Sequence, residues 1–178
     1  MTTLPAVEMP LCRALNRWGA QSAVHGFFAA VSRLGDGVFW YALMLALPLA
    51  DGRRGAAVSA ELAATGLVSL AIYRLLKRWI RRPRPYASHE GIIAHVPPLD
   101  QFSFPSGHTL HAVAFTAIAC TWYPALALIL VPFSILVALS RVVLGLHYPS
   151  DVVAAVAIGS LLAAGSLATT GLLGAFPA

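Results

Sequence analysis

Charge is what this 178-residue chain has least of: 11% of its residues are Asp, Glu, Lys or Arg, against about a quarter in an ordinary soluble domain. With 58% hydrophobic residues and a mean hydropathy of +0.76, that shortage excludes a water-soluble globular domain and places the chain in a bilayer. Cysteine is nearly absent: Cys12 and Cys120 lie far apart, which excludes a disulfide framework and zinc-type spacing. The N-terminus, Met1 to Trp18, contains Pro5, Glu8 and Pro10 and lacks an apolar run of signal-peptide length, so no cleaved signal is expected. Repeats and low-complexity tracts are absent as well. Because a crossing needs about 20 apolar residues, the length allows five or six spans and no separate soluble catalytic domain. Any active site must be built from helix ends and short loops at the membrane surface.

What is there divides into an N-terminal part, residues 1–36, and a membrane domain, residues 37–178. From about Leu11 to Arg33, apolar positions alternate with Arg13, Asn16, Arg17, Gln21, Ser22 and His25. This is the pattern of an amphipathic helix lying in the interface, or of part of a first span. After a Gly35-Asp36-Gly37 turn, the apolar run Val38 to Ala50 is short for a crossing and is expected to borrow residues from the preceding helix. A second span covers about Ala56 to Trp79, and Pro83 and Pro85 stop it. Tyr86 to Phe104 is a polar loop holding His89, Glu90, His95 and Asp100. Three further spans, Gly107 to Trp122, Ala125 to Leu144 and Pro149 to Leu173, complete an all-α, polytopic transmembrane bundle of about five spans, possibly six, plus the N-terminal interfacial helix. Counting directions brings the ends of the second and fourth spans and the starts of the third and fifth to one membrane face.

The few polar residues gather at that face. The formal charge of +5 comes largely from Lys77, Arg78, Arg81, Arg82 and Arg84, a cluster beside a span that reads as a membrane-surface feature and not as a nucleic-acid surface. After Asp100 the only charged side chains are Arg141 and Asp151. An ionisable residue in or beside a transmembrane helix is costly, so its default reading is functional; a buried Arg141–Asp151 pair that fixes helix packing is the structural alternative. Ser106 is a suitable N-cap for the helix beginning Gly107-His108, whose free N–H groups favour an anion. Pro149 suits the first turn of the last helix, leaving His147 just outside and Asp151 able to hold one imidazole nitrogen while the other serves as nucleophile or base. His108, His111, His147 and Asp151 could also be read as metal ligands, but five neighbouring cations suit a phosphate better than a divalent ion. His25, His89 and His95 have no comparable partners and read as surface or loop residues.

Lys77 with Arg84-Pro85 matches K-x6-R-P, Pro105-Ser106-Gly107-His108 matches P-S-G-H, and Ser140-Arg141 with His147 and Asp151 matches S-R-x5-H-x3-D. In this order and around these spans, the chain from about Val38 onward resembles the type 2 phosphatidic acid phosphatase (PAP2) superfamily, which also contains the vanadium haloperoxidases. The first 35 or so residues carry nothing diagnostic. The resemblance implies a phosphohydrolase that uses no metal or other cofactor and forms a covalent phosphohistidine. His147 would attack phosphorus, Asp151 would orient its ring, and His108 would protonate the leaving oxygen and then activate water. Lys77, Arg84, Ser106, Gly107 and Arg141 would hold the phosphoryl oxygens.

A compact bundle with such a site suits a lipid phosphate or pyrophosphate whose tail remains among the membrane lipids. Undecaprenyl pyrophosphate is the leading expectation, by analogy; phosphatidate, phosphatidylglycerophosphate and a lipid A phosphate are the others. A non-catalytic membrane protein that binds or transports an anionic lipid is the reading from another class. The resemblance favours a bacterial inner membrane with the site facing the periplasm. The positive-inside rule would put Lys77 to Arg84 in the cytoplasm, while Arg53-Arg54 point to the opposite face. No sequence feature sets the oligomeric state.

Overall fold

A computed structural model describes residues 4–172, and these are helical with no strand. The helices are α1 (Leu4–Gly19), α2 (Ser22–Arg33), α3 (Phe39–Ile80), α4 (Pro85–Ser88), α5 (Gly107–Trp122), α6 (Ala127–Val143) and α7 (Pro149–Leu172). A π-helical turn, Leu34–Val38, joins α2 to α3, and a 3-10 turn, Pro124–Leu126, precedes α6. Three stretches are long and apolar enough to cross a membrane: Ser22–Ser88, Pro124–Val143 and Pro149–Gly171. The first is a hairpin. Asp51 and Gly52 leave helical geometry, and beyond them the chain returns so closely that Ser59 Oγ donates to the Met44 carbonyl at 2.7 Å. Five helical passes result, counting the 16-residue α5, which at about 1.5 Å per residue is the short central pass and packs against α3, α6 and α7.

The first pass borrows from α2 as expected, but its mechanism differs from the reading of Gly35-Asp36-Gly37 as an interhelical turn. The helix continues through these residues as a wide π turn in which Gly37 takes φ 136°. Such bulges absorb extra residues without ending a helix, and this one brings Asp36 to His108 at the start of α5.

Helix α1 is a separate amphipathic element, broken from α2 at residues 20–21. Its buried face carries Glu8, Met9, Cys12 and Asn16, while Val7, Arg13, Arg17 and Trp18 stay exposed. The spacing of the buried set is that of one helical face. Asn16 binds both backbone groups of Ile93, donating to its carbonyl at 2.9 Å and accepting from its N–H at 2.9 Å. His25 contacts the His95 carbonyl at 3.0 Å, and the His95 ring contacts the Asn16 carbonyl at 3.0 Å. His95 lies in the polar loop as expected, and it and His25, which lies in α2, tie the first helices to that loop; a lone histidine gives no spacing signal by which to foresee these partners. His89 likewise meets the Tyr148 hydroxyl at 3.3 Å.

The apolar core lies between the passes, with Trp40, Leu47, Val58, Leu62, Phe115, Ile118, Leu130 and Val137 buried in one cluster. Exposed large hydrophobics such as Leu45, Leu49, Leu67, Leu128 and Leu161 ring the outside of the passes, as a lipid-facing surface requires.

Candidate active site

The site is assembled at the end of the bundle where α3 finishes and α5 and α7 begin. Helix α3 ends at Arg81, a non-glycine residue in the left-handed conformation, and Pro83 and Pro85 carry the chain away. Ser106 caps α5 through its hydroxyl, which accepts from the Thr109 N–H at 3.5 Å, and Gly107 lies against the ring of Tyr73. Helix α6 ends at Gly145 with φ 76°, a C-terminal turn in which the Leu146 N–H donates to the Arg141 carbonyl at 3.0 Å and the His147 N–H does so at 3.1 Å. A side chain at Gly145 would come within 2.4 Å of the Ile93 carbonyl and 2.7 Å of Asn16, so glycine is required both by the turn and by the close approach. This turn fixes His147 two residues before α7. The Asp151 carboxylate then accepts from the Tyr148 N–H at 2.9 Å, the carboxylate half of a capping box.

Six of the eight residues expected to form the site line one cavity of about 760 Å³: Lys77, Arg84, Gly107, His108, Arg141 and His147. Ser106 and Asp151 stand behind its wall, fully buried. His147 Nδ1 lies 3.6 Å from Asp151 Oδ2, beyond hydrogen-bond length, while Arg84 Nη1 approaches His147 Nε2 at 3.3 Å. The expected hydrogen bond from the imidazole to Asp151 is thus not made: Nδ1 is buried without a partner, and Nε2 is the nitrogen that meets Arg84. Burial, then the charges of Arg141, Arg84, Lys77 and His108, hold the His147 imidazole well below its ordinary range, so its neutral, nucleophilic form prevails at neutral pH.

The alternative of an Arg141–Asp151 pair does not hold. Arg141 donates to the Ser32 hydroxyl, has no carboxylate within ion-pair distance among the described residues, and leaves Nε without a partner although the side chain is 2% exposed. A buried guanidinium without a counterion is expensive, and here it faces the cavity. Asp151 pairs instead with Arg82, Nη1 to Oδ1 at 2.8 Å, and the guanidinium of Arg82 stacks 3.8 Å from the Tyr148 ring centroid. Both ring nitrogens of His111 face carbonyl oxygens, of Gly107 at 2.8 Å and Gly66 at 3.3 Å.

Four further residues enter the site that sequence reasoning did not assign to it. Asp36 contacts His108 Nε2, Asp100 Oδ1 accepts from both Lys77 at 2.7 Å and Arg84 at 2.9 Å, Glu8 accepts from the Ser150 N–H at 3.1 Å and from Arg82 at 3.4 Å, and Ser32 meets Arg141. Each is a single residue without a partner at fixed spacing. The three acids had one signal, the rarity of acids, seven in the whole chain; Ser32 had none.

Away from its polar end the cavity becomes apolar. Ala63, Gly66, Leu67, Leu70, Tyr73 and Lys77 of α3 line it at helical spacing, a stripe of about 21 Å at 1.5 Å per residue. Trp40, Tyr41 and Met44 on the facing pass and Phe115 on α5 complete the wall, and Tyr41 and Leu67 are exposed on the lipid side. The polar, cationic end of the cavity thus opens into an apolar groove.

A helical bundle with membrane-crossing passes and, at one end, a cavity lined by five cations and three histidines beside a helix N-terminus defines a class: polytopic membrane proteins with a cationic, histidine-lined pocket. The particular family follows, for residues 58–173 match the model of the PAP2 superfamily, and the chain belongs to that superfamily. It is 42% identical over 103 residues to the decaprenylphosphoryl-5-phosphoribose phosphatase of Mycobacterium tuberculosis, covering 57% of this chain and 55% of that one. It is 37% identical over 123 residues to the lipid A 1-phosphatase of Rhizobium etli, covering 65% and 53%. The chain therefore spans about half the length of the curated relatives it matches. Its fold is that of Aquifex aeolicus LpxE, with a TM-score of 0.79 at 24% identity over 90% of this chain and 94% of that one. The transmembrane PAP2-type phosphatidylglycerolphosphate phosphatase of Bacillus subtilis superposes equally well, at 0.79 and 21% identity over 96% and 88%.

Proposed function

We propose that the protein is a membrane lipid phosphatase that cleaves a phosphomonoester or diphosphate of a lipid through a phosphohistidine on His147. The observation that carries this reading is Arg141, a buried guanidinium with no carboxylate partner, facing the same cavity as His147, His108, Lys77 and Arg84. In the first step His147 Nε2 forms a bond to phosphorus as the bond to the leaving oxygen breaks, and His108 gives that oxygen its proton. Asp151, held by Arg82 and the Tyr148 N–H, offsets the charge that appears on the His147 ring. In the second step His108 takes a proton from water, the water oxygen bonds to phosphorus, and the phosphorus–nitrogen bond breaks to return His147. Lys77, Arg84, Arg141 and the N–H groups at the start of α5, with Ser106 and Gly107, stabilise the charge on the phosphoryl oxygens in both transition states. General acid catalysis of this kind contributes about 10² to 10⁴-fold.

The apolar groove supports a long hydrocarbon tail, and relatives named for prenyl-linked and glycolipid phosphates support a polyprenyl carrier or a glycolipid as substrate. Undecaprenyl pyrophosphate leads, with lipid A phosphate, phosphatidylglycerophosphate and phosphatidate following. The test is phosphate release by the purified protein from this panel in detergent, with chelator present and His147→Ala alongside. The expected outcome is chelator-resistant release from at least one lipid, lost by 10⁴-fold or roughly that in the variant, which remains folded. Release that persists in His147→Ala removes the phosphohistidine; absence of release from every lipid by folded wild type favours an anionic-lipid binding protein.

A further inference from the structure

Asp100 Oδ1 holds one donor from each of two cations that line the cavity. A lysine ammonium has three N–H donors, and Lys77 gives one to Asp100 Oδ1 and one to the Phe102 carbonyl, both at 2.7 Å. A guanidinium has five. Arg84 directs Nε to the Asp100 carbonyl at 3.0 Å, Nη1 to the Leu146 carbonyl at 2.8 Å and to His147 Nε2 at 3.3 Å, and Nη2 to Asp100 Oδ1 at 2.9 Å. One donor is left on each cation. With only one donor free on each, a phosphate that takes two hydrogen bonds from either cation must take over a donor now held by a single carboxylate oxygen. The exchange is feasible: the Asp100 side chain is 36% exposed, lies in the irregular segment before α5 and faces the cavity. Lys77 and Arg84 also keep their backbone partners when it leaves. Although burial alone would raise the Asp100 carboxyl, Lys77 and Arg84 outweigh it and hold it below the ordinary carboxylate range, so the competing charge is present at every physiological pH.

Resting on the phosphatase reading, we propose that Asp100 is a specificity-determining internal anion, which only a phosphate carrying more than one negative charge displaces. A phosphomonoester carries about −1.5 to −2 at neutral pH and offers three terminal oxygens, and a lipid diphosphate carries at least as much. The phosphodiester headgroups of bulk phospholipids carry a single charge, equal to that of the carboxylate already in place. Exchanging one for the other gains no Coulomb energy and loses a preformed contact. The device answers a problem set by the groove itself, whose lipid-facing side admits any phospholipid while only a monoester or diphosphate is to reach His147.

The test is binding, read calorimetrically on the full chain in detergent, of inorganic phosphate and of phosphatidylglycerol in mixed micelles, for wild type, Asp100→Asn and Asp36→Asn. Asp36 lines the same cavity without touching Lys77 or Arg84, so its neutralisation changes the cavity charge equally and frees neither cation. Wild type is expected to bind phosphate and be indifferent to phosphatidylglycerol. Asp100→Asn is expected to gain about tenfold in affinity for phosphatidylglycerol, the size of one charge-assisted hydrogen bond, so that the diester now displaces phosphate. Asp36→Asn should change either affinity by less than about threefold. The proposal is overturned if Asp100→Asn stays indifferent to the diester, if it loses phosphate affinity because the carboxylate merely holds the cations in place, or if Asp36→Asn reproduces its effect. Asp100→Ser replaces the Asn variant should that one unfold. Because binding is the readout, wild type that binds phosphate yet hydrolyses no lipid defeats the phosphatase reading alone.

Discussion

Arg82 shows how much of the chemistry rests on residues that never touch the cavity. It joins Asp151 at 2.8 Å to Glu8 at 3.4 Å and lies flat against Tyr148, so α1, α3 and α7 meet on one guanidinium. In the proposed reaction it is a positioning residue: it sets the carboxylate that must follow the His147 ring as positive charge develops there. Arg82→Ala should lower kcat by about 10 to 100-fold, as loss of comparable outer partners does, with KM little changed because Arg82 contacts no substrate oxygen. Arg82→Lys keeps the charge but not the planar fork, and should recover part of kcat. Steady-state kinetics of both variants check this, and a rise in KM at constant kcat would mean that Arg82 binds substrate instead. Lys77, Arg84, His108, Arg141 and His147 were legible because three spacings tied them together. Arg82 was visible in the basic cluster, but its partner was not, since charge alone does not say which of five neighbouring cations will meet Asp151.

At the scale of elements, the passes were legible because polar residues are so few that each interruption of the apolar runs marks an end. The continuity of α2 with α3 was not, since Gly35-Asp36-Gly37 has the composition of a loop, and no spacing in the sequence marks the π turn in which Gly35 packs against Val137, 3.0 Å from where its Cβ would be. The turn from α6 to α7 was expected to be a connector, and it does more. Gly145 lets the chain reverse beneath Ile93 and Asn16 so that His147 arrives at the cavity wall. Gly145→Ala forces a Cβ into both the left-handed backbone and the loop carbonyl, for a cost of about 1–3 kcal/mol. A lower unfolding temperature in detergent is expected, together with a larger loss of kcat than the stability change explains, since His147 is two residues away. Thermal unfolding and turnover measured on the same preparation test it, and a variant with unchanged stability and activity would show that the turn relaxes freely.

For the whole molecule the open question is which way the bundle faces, and two physical criteria collide there. Exposed Arg13, Arg17, Arg78 and Arg81 lie toward the site end, against exposed Arg53 and Arg54 at the turn between the halves of α3, so a count of cations puts the site in the cytoplasm. Lys77 and Arg84, engaged with Asp100, and Arg82, engaged with Asp151 and Glu8, answer to the site and do not enter that count. On the periplasmic placement that the family resemblance favours, Arg53 and Arg54 are the cytoplasmic anchors, and Arg54 is fastened there by its contact with the Tyr123 ring and its 4.0 Å approach to Asp51. Cys12 and Cys120 can be replaced by alanine, leaving single cysteines at Glu90→Cys on the site face and Arg53→Cys on the far turn. In intact bacterial cells a membrane-impermeant maleimide is expected to label Glu90→Cys, and to reach Arg53→Cys only after permeabilisation. The reverse pattern would place the phosphate site in the cytoplasm, and would restrict the substrate to lipids whose phosphate is presented on that side of the membrane.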